Sequence, residues 1–503
     1  MQKFIFTTIL SLYFVAQAQA QPGTALFDDA VLHEIRFTTV DTLSLFDFAN
    51  KGDYFQCKVT IDGTLVDSIG VATKGNISWG APNNKKPLKI KLNEFASGKK
   101  YDGMRRFLLH NSFEDPTMLR EKLTYDICGA QGLHALRAAF AKVYINEVYW
   151  GVYTLVEAKD DLYRNRFFNK DGGVVESFEF ADLCYKGDAL SDYEFFGSFS
   201  YVVDNGDPDL TWKRFAQMLK KTNQSTLAQF PDTTRAYLHL DHWITYLATN
   251  VYLMNFDSYI QFQGNQLYFY DTLEQRFQVI PWDFNASFGL WNSNNHTVTD
   301  YSVQSSYLLQ ACLSKRVFQN PSLKSQYMQA LCNLKNTYAE PDYLKARIDF
   351  FKNLLGPAVT ADWRKMFSAM LFNQTLETGY FNISGIGPHV PGLKTFADDR
   401  YATVSGELTS LGFPCASPTA EPSASKPDIL LSPNPTEGLV TLSFSKNQPE
   451  STLLILDALG RVLQIEHLKP EATNLHLDLS SLPSGVYFLK ISSAASTARV
   501  IKL

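Results

Sequence analysis

Alternation of apolar and polar positions dominates the first part of the chain. HEIRFTTV, YFQCKVTID, TLVDSIGVATKG and PLKIKLNEF alternate or run apolar between turns, which predicts strands. Asp115-Pro116 then reads as a helix start, with Asp as the N-cap and Pro in the first helical position, followed by Leu119, Leu123 and Ile127 at i+4. AKVYINEVYWGVYTLVE predicts a hairpin with Asn146-Glu147 at its tip, and NQLYFYDTLEQRFQVIPWD predicts another. Between them lie a polar insert, residues 181–235, whose periodicity is too weak to assign, and a largely apolar helical pattern from about Tyr237 to Met254. Helical spacing returns over 300–410 in YLLQACL, LKSQYMQALCNL, YLKARIDFFKNLL and FADDRYATVSGELTSL.

The texture changes at PCASPTAEPSASKPD, whose prolines interleave with Ser, Ala and Thr. That composition cannot bury enough apolar surface to fold, and it marks residues 414–428 as a linker. Beyond it, ILLSPNP, GLVTLSF, TLLILDALGRVLQI, NLHLDL, GVYFLKI and ARVIKL are short strand-like runs between Pro, Gly and Asn turns, the pattern of a small all-β sandwich over 429–503. At the other end, Lys3, an apolar stretch and Ala18-Gln19-Ala20 read as a secretory signal peptide over 1–20. The body is then 21–413, with a β-rich part at about 30–160 and a helical part at about 235–413.

At 503 residues the chain has room for roughly two to four domains. With 45% hydrophobic and 14% aromatic residues it suits packed globular domains, and a formal net charge of −5 gives no electrostatic reason to expect nucleic acid. No stretch reaches the length of a membrane span. Six cysteines, at 57, 128, 184, 312, 332 and 415, are too sparse for a disulfide framework and show no C-x-x-C spacing. If export permits a bridge, Cys312 with Cys332 is the expected pair, since both fall in one helical region.

The candidate chemistry lies in the body. PLKIKLNEF puts Leu88, Ile90 and Leu92 on one face, so Lys89 and Lys91 share the other, where either can reach a phosphate or simply be solvated. Lys74 stands beside a Gly75-Asn76 turn able to cover a ligand or merely to close a hairpin. Glu121 follows Arg120 on the helix after Asp115 and is placed either to pair a strand lysine or to lie at the surface. Glu157 ends the strand YTLVE where a hinge would lie. Asp257 follows an apolar helix, with Asn265 eight residues on. In VIPWDFNASFG, Asp283 and Asn285 follow an apolar run directly and offer hard oxygen donors. A strand lysine, an Asp after a helix and an Asp after a hairpin occur in the order of roles found in a protein kinase, in which cations and metal stabilise charge spread over phosphoryl oxygens and a carboxylate orients the hydroxyl.

KGNISW with KKPLKIKL, LLHNSFEDPTMLREKLTYDI, VYINEVYWGVYTLVEAKDD, NFDSYIQFQGNQLYFY, VIPWDFNASFG and LKTFADDRYATVSGEL span most of 70–410 and resemble the CotH family of atypical, secretory-pathway-like protein kinases. The resemblance implies an α+β fold, a two-lobed atypical kinase-like body. It also implies ATP and Mg²⁺ (or Mn²⁺) as cofactors and phosphorylation of Ser or Thr on exported proteins. On it, Asp257 is the catalytic carboxylate and Asp283 the metal ligand, helped by Asn265 and Asn285. Lys89 is the first candidate for the phosphate lysine, with Lys74 and Lys91 behind it; Glu121 and Glu157 join Asp257 and Lys89 as candidate catalytic residues, and Asn76 and Glu157 join the lysines as candidates for binding the nucleotide. Asn285 stands where the family often has a second Asp, and Lys74 where Arg is usual. These departures keep open the alternative of a weak or inactive kinase-fold surface protein that acts as a binding module.

SPNPTEG, the Asp457–Arg461 turn, LPSGVYFLKI and the closing ARVIKL resemble the type A C-terminal sorting domain of the Bacteroidetes type IX secretion system. That tail implies an immunoglobulin-like sandwich, the secretion machinery as a partner, and a secreted or outer-surface location.

Overall fold

The structure, a computed structural model, describes residues 21–503 except 169–171, 179, 196, 292–296, 384–386, 416–428, 433–435, 437, 449–450, 457–461, 469–471, 484, 492–496 and 503. The signal-peptide reading, nearly all of the linker, the Asp457–Arg461 turn and part of SPNPTEG lie outside the described residues.

Seven strands close into a barrel in the order Leu32–Thr38, Phe55–Ile61, Thr64–Thr73, Leu88–Lys91, Arg106–His110, Val148–Glu157 and Ala138–Ile145. All neighbours are antiparallel except the closing pair, where Leu32–Thr38 runs parallel to Ala138–Ile145. The hairpin at Asn146-Glu147 forms as expected, with both tip residues at positive φ, 49° and 65°. Val148–Glu157 reads as a nearly unbroken apolar run because both of its faces are covered. Tyr153 and Leu155 join the barrel interior, while Val152 and Val156 join a second core shared with the helices. Phe140 and Phe351, 5.4 Å apart edge to face, cross the same seam from the helix Pro341–Ala361.

Asp115 is not the N-cap residue of the helix that follows it. The helix runs Arg120–Ala130 with Leu119 at its N-cap, and Leu119, Leu123 and Ile127 are all buried as their spacing requires. Asp115 instead closes the preceding turn: Oδ1 accepts from Thr117 N and, at 2.6 Å, from the fully buried Arg120 guanidinium, and Oδ2 accepts from Arg120 N. Arg120 and Glu121 are both buried, so they are not a surface pair.

The polar insert acquires structure by pairing with distant strands. Tyr201–Asn205 joins Val174–Ser177, which pairs with Gln266–Asp271 and so with Arg276–Pro281, in one antiparallel four-stranded sheet. Helices Pro208–Gln224 and Phe230–Tyr237 follow the short strand, and Leu240–Tyr252 carries the predicted apolar helix. From Cys312 to Ser410 the region is mainly helical, interrupted by a hairpin of Tyr380–Ile383 and Gly387–Val390 that the sequence reading missed; YLLQACL is not helical until its end, where the helix Cys312–Gln319 begins.

The expected Cys312–Cys332 bridge is absent. Cys184 pairs with Cys312 and Cys332 with Cys415, so one bridge ties the insert to the helical region and the other ties the end of the body to the helix Pro321–Lys335. Cys57 and Cys128 are free and buried.

The tail forms two antiparallel sheets. One contains Ile429–Ser432, Leu439–Gln448 and Ala472–Asp478, and the other contains Val462–Leu468, Ser451–Leu456, Gly485–Ile491 and Thr497–Lys502. Val440, Leu442 and Leu477 from the first sheet share a core with Leu453, Ile455, Leu489 and Val500 from the second.

Candidate active site

Segments far apart in sequence line one cavity of about 440 Å³: Lys74 to Ser78, His110 to Phe113, Glu121, Glu176, Asp257, Asn265, and Trp282, Asp283 and Asn285. A neighbouring cavity of about 600 Å³ shares Lys74, Glu176 and Trp282 with it and continues past Lys89, Arg106, Leu108 and Lys159.

Each element delivers its residue for a local reason. Lys74 follows the strand Thr64–Thr73, and its N–H donates to Pro87 O, which carries the ladder one residue further and fixes the lysine at the barrel rim. Gly75 then turns with φ +88°, where a Cβ would fall 2.3 Å from Ser78 Oγ, so the turn requires glycine. His110 ends the strand Arg106–His110, on the same alternating face as Leu108. Asp257 lies in the loop beyond the helix Leu240–Tyr252, and Asn265 immediately precedes the strand Gln266–Asp271. Asp283 sits two residues beyond Arg276–Pro281 with φ +54°, a left-handed conformation that Asp tolerates better than most residues.

The electrostatics centre on Lys74 and Asp283. Burial pulls the Lys74 ammonium below its ordinary range, and Asp283 and Glu121 oppose that shift. Burial pushes the Asp283 carboxyl up, Glu121 adds to the rise, and Lys74 opposes it. Lys74 Nζ contacts His110 Nε2 at 2.8 Å, and His110 Nδ1 contacts Glu121 Oε1 at 2.8 Å. The buried Trp282 ring lies 5.4 Å from Lys74 Nζ and 5.2 Å from Lys159 Nζ. Lys159 is itself paired with Glu176 at 2.9 Å and Asp204 at 3.3 Å.

The residues expected from the sequence separate into two groups. Lys74, Asn76, Glu121, Asp257, Asn265, Asp283 and Asn285 come together around the smaller cavity. Lys89 does not: it lies in the adjoining cavity, 4.8 Å from the Tyr54 ring, so the lysine beside Asp283 is Lys74. Lys91 is paired with Glu94. Glu157 lines neither cavity: Arg137 and Arg166 each hold it at 2.7 Å and it is 1% exposed, so it is a buried structural anion. Glu121 meets the strand lysine only through His110. The sequence reading missed His110, Glu176, Trp282 and Lys159. The segments that carry the family resemblance contain His110, Lys159 and Trp282, and strand alternation puts His110 on the face of Leu108; nothing local points to Glu176.

The donor set fits a hard divalent cation. Asn285 Nδ2 donates to Phe113 O at 3.2 Å and Asn265 Nδ2 donates to Asp257 Oδ2 at 2.7 Å. Both acceptors demand an N–H donor, so each amide keeps its Oδ1 for another partner. Among the described residues no group of three or more His, Cys, Asp or Glu is arranged as a metal cage. A cation here would therefore combine Asp283 with amide oxygens and a ligand's own phosphates, as Mg²⁺ commonly does.

The family profile of the CotH kinase protein matches residues 71–404, more than half of the chain. The chain belongs to the CotH family. A second profile, the secretion system C-terminal sorting domain, matches residues 431–503. Similar CotH proteins include the inner spore coat protein H of Bacillus subtilis, 23% identical over 269 residues that cover 53% of this chain and 72% of that one. Invasin CotH3 of Rhizopus delemar is 26% identical over 253 residues, covering 46% of this chain and 40% of that protein. The spore coat protein homolog 1 of the same fungus is 24% identical over 262 residues, again 40% of its length. Among solved structures, the Helicobacter pylori proinflammatory kinase CtkA aligns with 65% of this chain and 95% of its own at 10% identity and a TM-score of 0.28, a likeness too low to carry an argument. Every CotH candidate residue named above falls within the matched 71–404 span. Among the described residues no helix is long and apolar enough to cross a membrane.

Proposed function

We propose that this CotH protein is an exported kinase that transfers the γ-phosphate of ATP to Ser or Thr hydroxyls of secreted or surface proteins. The observation that carries the reading is the gathering of Lys74, Glu121, Asp257 and Asp283, from four separate segments, around one cavity. On this reading the barrel and the helical region are the two lobes of an atypical kinase, and the tail is an immunoglobulin-like sorting module read by a type IX secretion system.

Lys74 supplies a fixed cation for the phosphates, in a partly dry setting where its charge acts more strongly than in water. Asp257 accepts the proton of the acceptor hydroxyl and aims it, held by Asn265. Asp283, with the Asn265 and Asn285 oxygens, holds Mg²⁺ or Mn²⁺. The bound cation supplies charge neutralisation on the phosphoryl oxygens. Lys89 and Arg106, in the adjoining cavity, face the remainder of the nucleotide.

The full chain incubated with γ-labelled ATP and Mg²⁺ or Mn²⁺ is expected to phosphorylate itself or an exported protein, with Lys74→Ala abolishing the signal. Label retained in that variant would remove Lys74 from the mechanism, and no nucleotide binding with any divalent ion would overturn the kinase reading. Asn285 favours a second reading, a binding module with little turnover, because an amide brings one negative charge fewer than a carboxylate to the cation. Asn285→Asp separates the two: a rise in turnover marks a weakened kinase, and turnover absent from both forms marks a binding module.

A further inference from the structure

We infer that His110 is a positioning residue that sets where the Lys74 ammonium stands. This rests on reading the cleft as a nucleotide site, and it concerns a residue to which the family resemblance gave no role. With Lys74 as the ammonium that the nucleotide reading requires, the donor and acceptor inventory fixes the arrangement. An ammonium carries only donors, so at 2.8 Å His110 Nε2 has to accept from Lys74. The ring proton is then on Nδ1, from which it is donated to Glu121 Oε1 at 2.8 Å. Trp282, edge to face with the imidazole at 6.1 Å between ring centres, confines the ring from the side.

A direct lysine–glutamate pair would hold the ammonium equally well but would put a full negative charge against it. An interposed neutral imidazole orients the same ammonium while keeping the carboxylate one ring away. Because Coulomb attraction falls with distance, more of the Lys74 charge stays available to an anionic ligand. Glu121 acts through His110 and not on the ligand.

Two measurements on the full chain test this. In the ¹⁵N-histidine spectrum, with the His110 signal assigned by its loss in His110→Leu, His110 is expected as the Nδ1–H tautomer. An Nε2–H tautomer would overturn the inference whatever the protein binds. In Mg·ATP binding, His110→Leu, close to histidine in volume, is expected to weaken affinity about tenfold. His110→Gln, which presents a donor and an acceptor on one neutral side chain, is expected to restore most of it. In a Lys74→Ala background, His110→Leu is expected to add nothing further. An equal loss in both backgrounds, or no rescue by glutamine, would show that His110 acts independently of Lys74. If the wild-type chain binds no nucleotide, the kinase reading falls, and the tautomer still decides whether His110 orients Lys74.

Discussion

Asn265 Nδ2 donates to Asp257 Oδ2 at 2.7 Å, joining the loop after one helix to the residue before a strand. Asn265 holds this position at φ +52°, in the left-handed region that asparagine tolerates well. The bond fixes the carboxylate at the cavity, which suits a group that orients a hydroxyl. Asp257→Asn is expected to lower kcat by about 10²–10⁴-fold while leaving Mg·ATP affinity near wild type. Asn265→Ala is expected to lower kcat less, because the carboxylate survives but is free to turn. Steady-state kinetics with labelled ATP checks both, and normal turnover in Asp257→Asn would remove this residue from the chemistry.

Asp283 is the residue at which stability and ligand binding should oppose each other. Its carboxyl is raised from the ordinary 3.8, first by burial and then by Glu121. A carboxyl raised on folding adds stability below its unfolded-state pKa, and that contribution is lost as pH climbs through the folded-state value. Above that window the ionised group opposes folding. Asp283→Asn is therefore expected to raise the melting temperature of the ligand-free protein at neutral pH. The same change should erase stabilisation by ATP with Mg²⁺, worth about 2.7 kcal/mol at a hundredfold excess over Kd. A thermal-shift series with and without nucleotide reads both effects; retained stabilisation in the variant would exclude Asp283 as a cation ligand.

Local signals were legible where local physics decides. The hairpin at Asn146-Glu147 has tip residues in the left-handed region, and Leu119, Leu123 and Ile127 are buried at helical spacing. The lysine was not legible. Period-2 alternation assigns Lys89 to a face, but only the folded arrangement brings Lys74, at the end of the neighbouring strand Thr64–Thr73, into the cavity with Asp283. Glu157 looked like a hinge residue because its two arginine partners, Arg137 and Arg166, belong to other segments. The 181–235 insert gave no pattern because its strand Tyr201–Asn205 pairs with Val174–Ser177 in a sheet completed by residues 266–281. Cysteine pairing depends on those same long-range contacts and does not follow from spacing.

Non-reducing peptide mapping is expected to recover Cys184–Cys312 and Cys332–Cys415 as linked pairs, with Cys57 and Cys128 as thiols. Burial pushes the Cys57 thiol up to about 12, so little thiolate exists at neutral pH and native alkylation should be slow. Cys332→Ser/Cys415→Ser opens a loop of sequence separation 83 and is expected to cost about 4–5 kcal/mol on a chain-entropy account. Recovery of a Cys312–Cys332 peptide from native protein would contradict this connectivity.

Lys85 and Asp362 form a fully buried ion pair that fastens the barrel to the helical region. Asp362 follows the helix Pro341–Ala361, and its Oδ2 also accepts from Val152 N at 3.0 Å, on a strand shared by both cores. The approach is so close that a Cβ on Gly151, at φ +120°, would lie 2.3 Å from Asp362 Oδ2, so no larger residue fits there. Removing one partner leaves the other charge buried without compensation, which typically costs about 3–5 kcal/mol. Asp362→Asn is expected to lose about that much in urea unfolding, since the Lys85 ammonium stays behind. Lys85→Met should lose less, because Asp362 keeps two backbone donors, Val152 N and Arg364 N. The double variant should then cost less than the sum of the two. Additive losses would mean that the two side chains stabilise the seam separately, and that the barrel and the helical region are held by the apolar contacts around Phe140 and Phe351 instead.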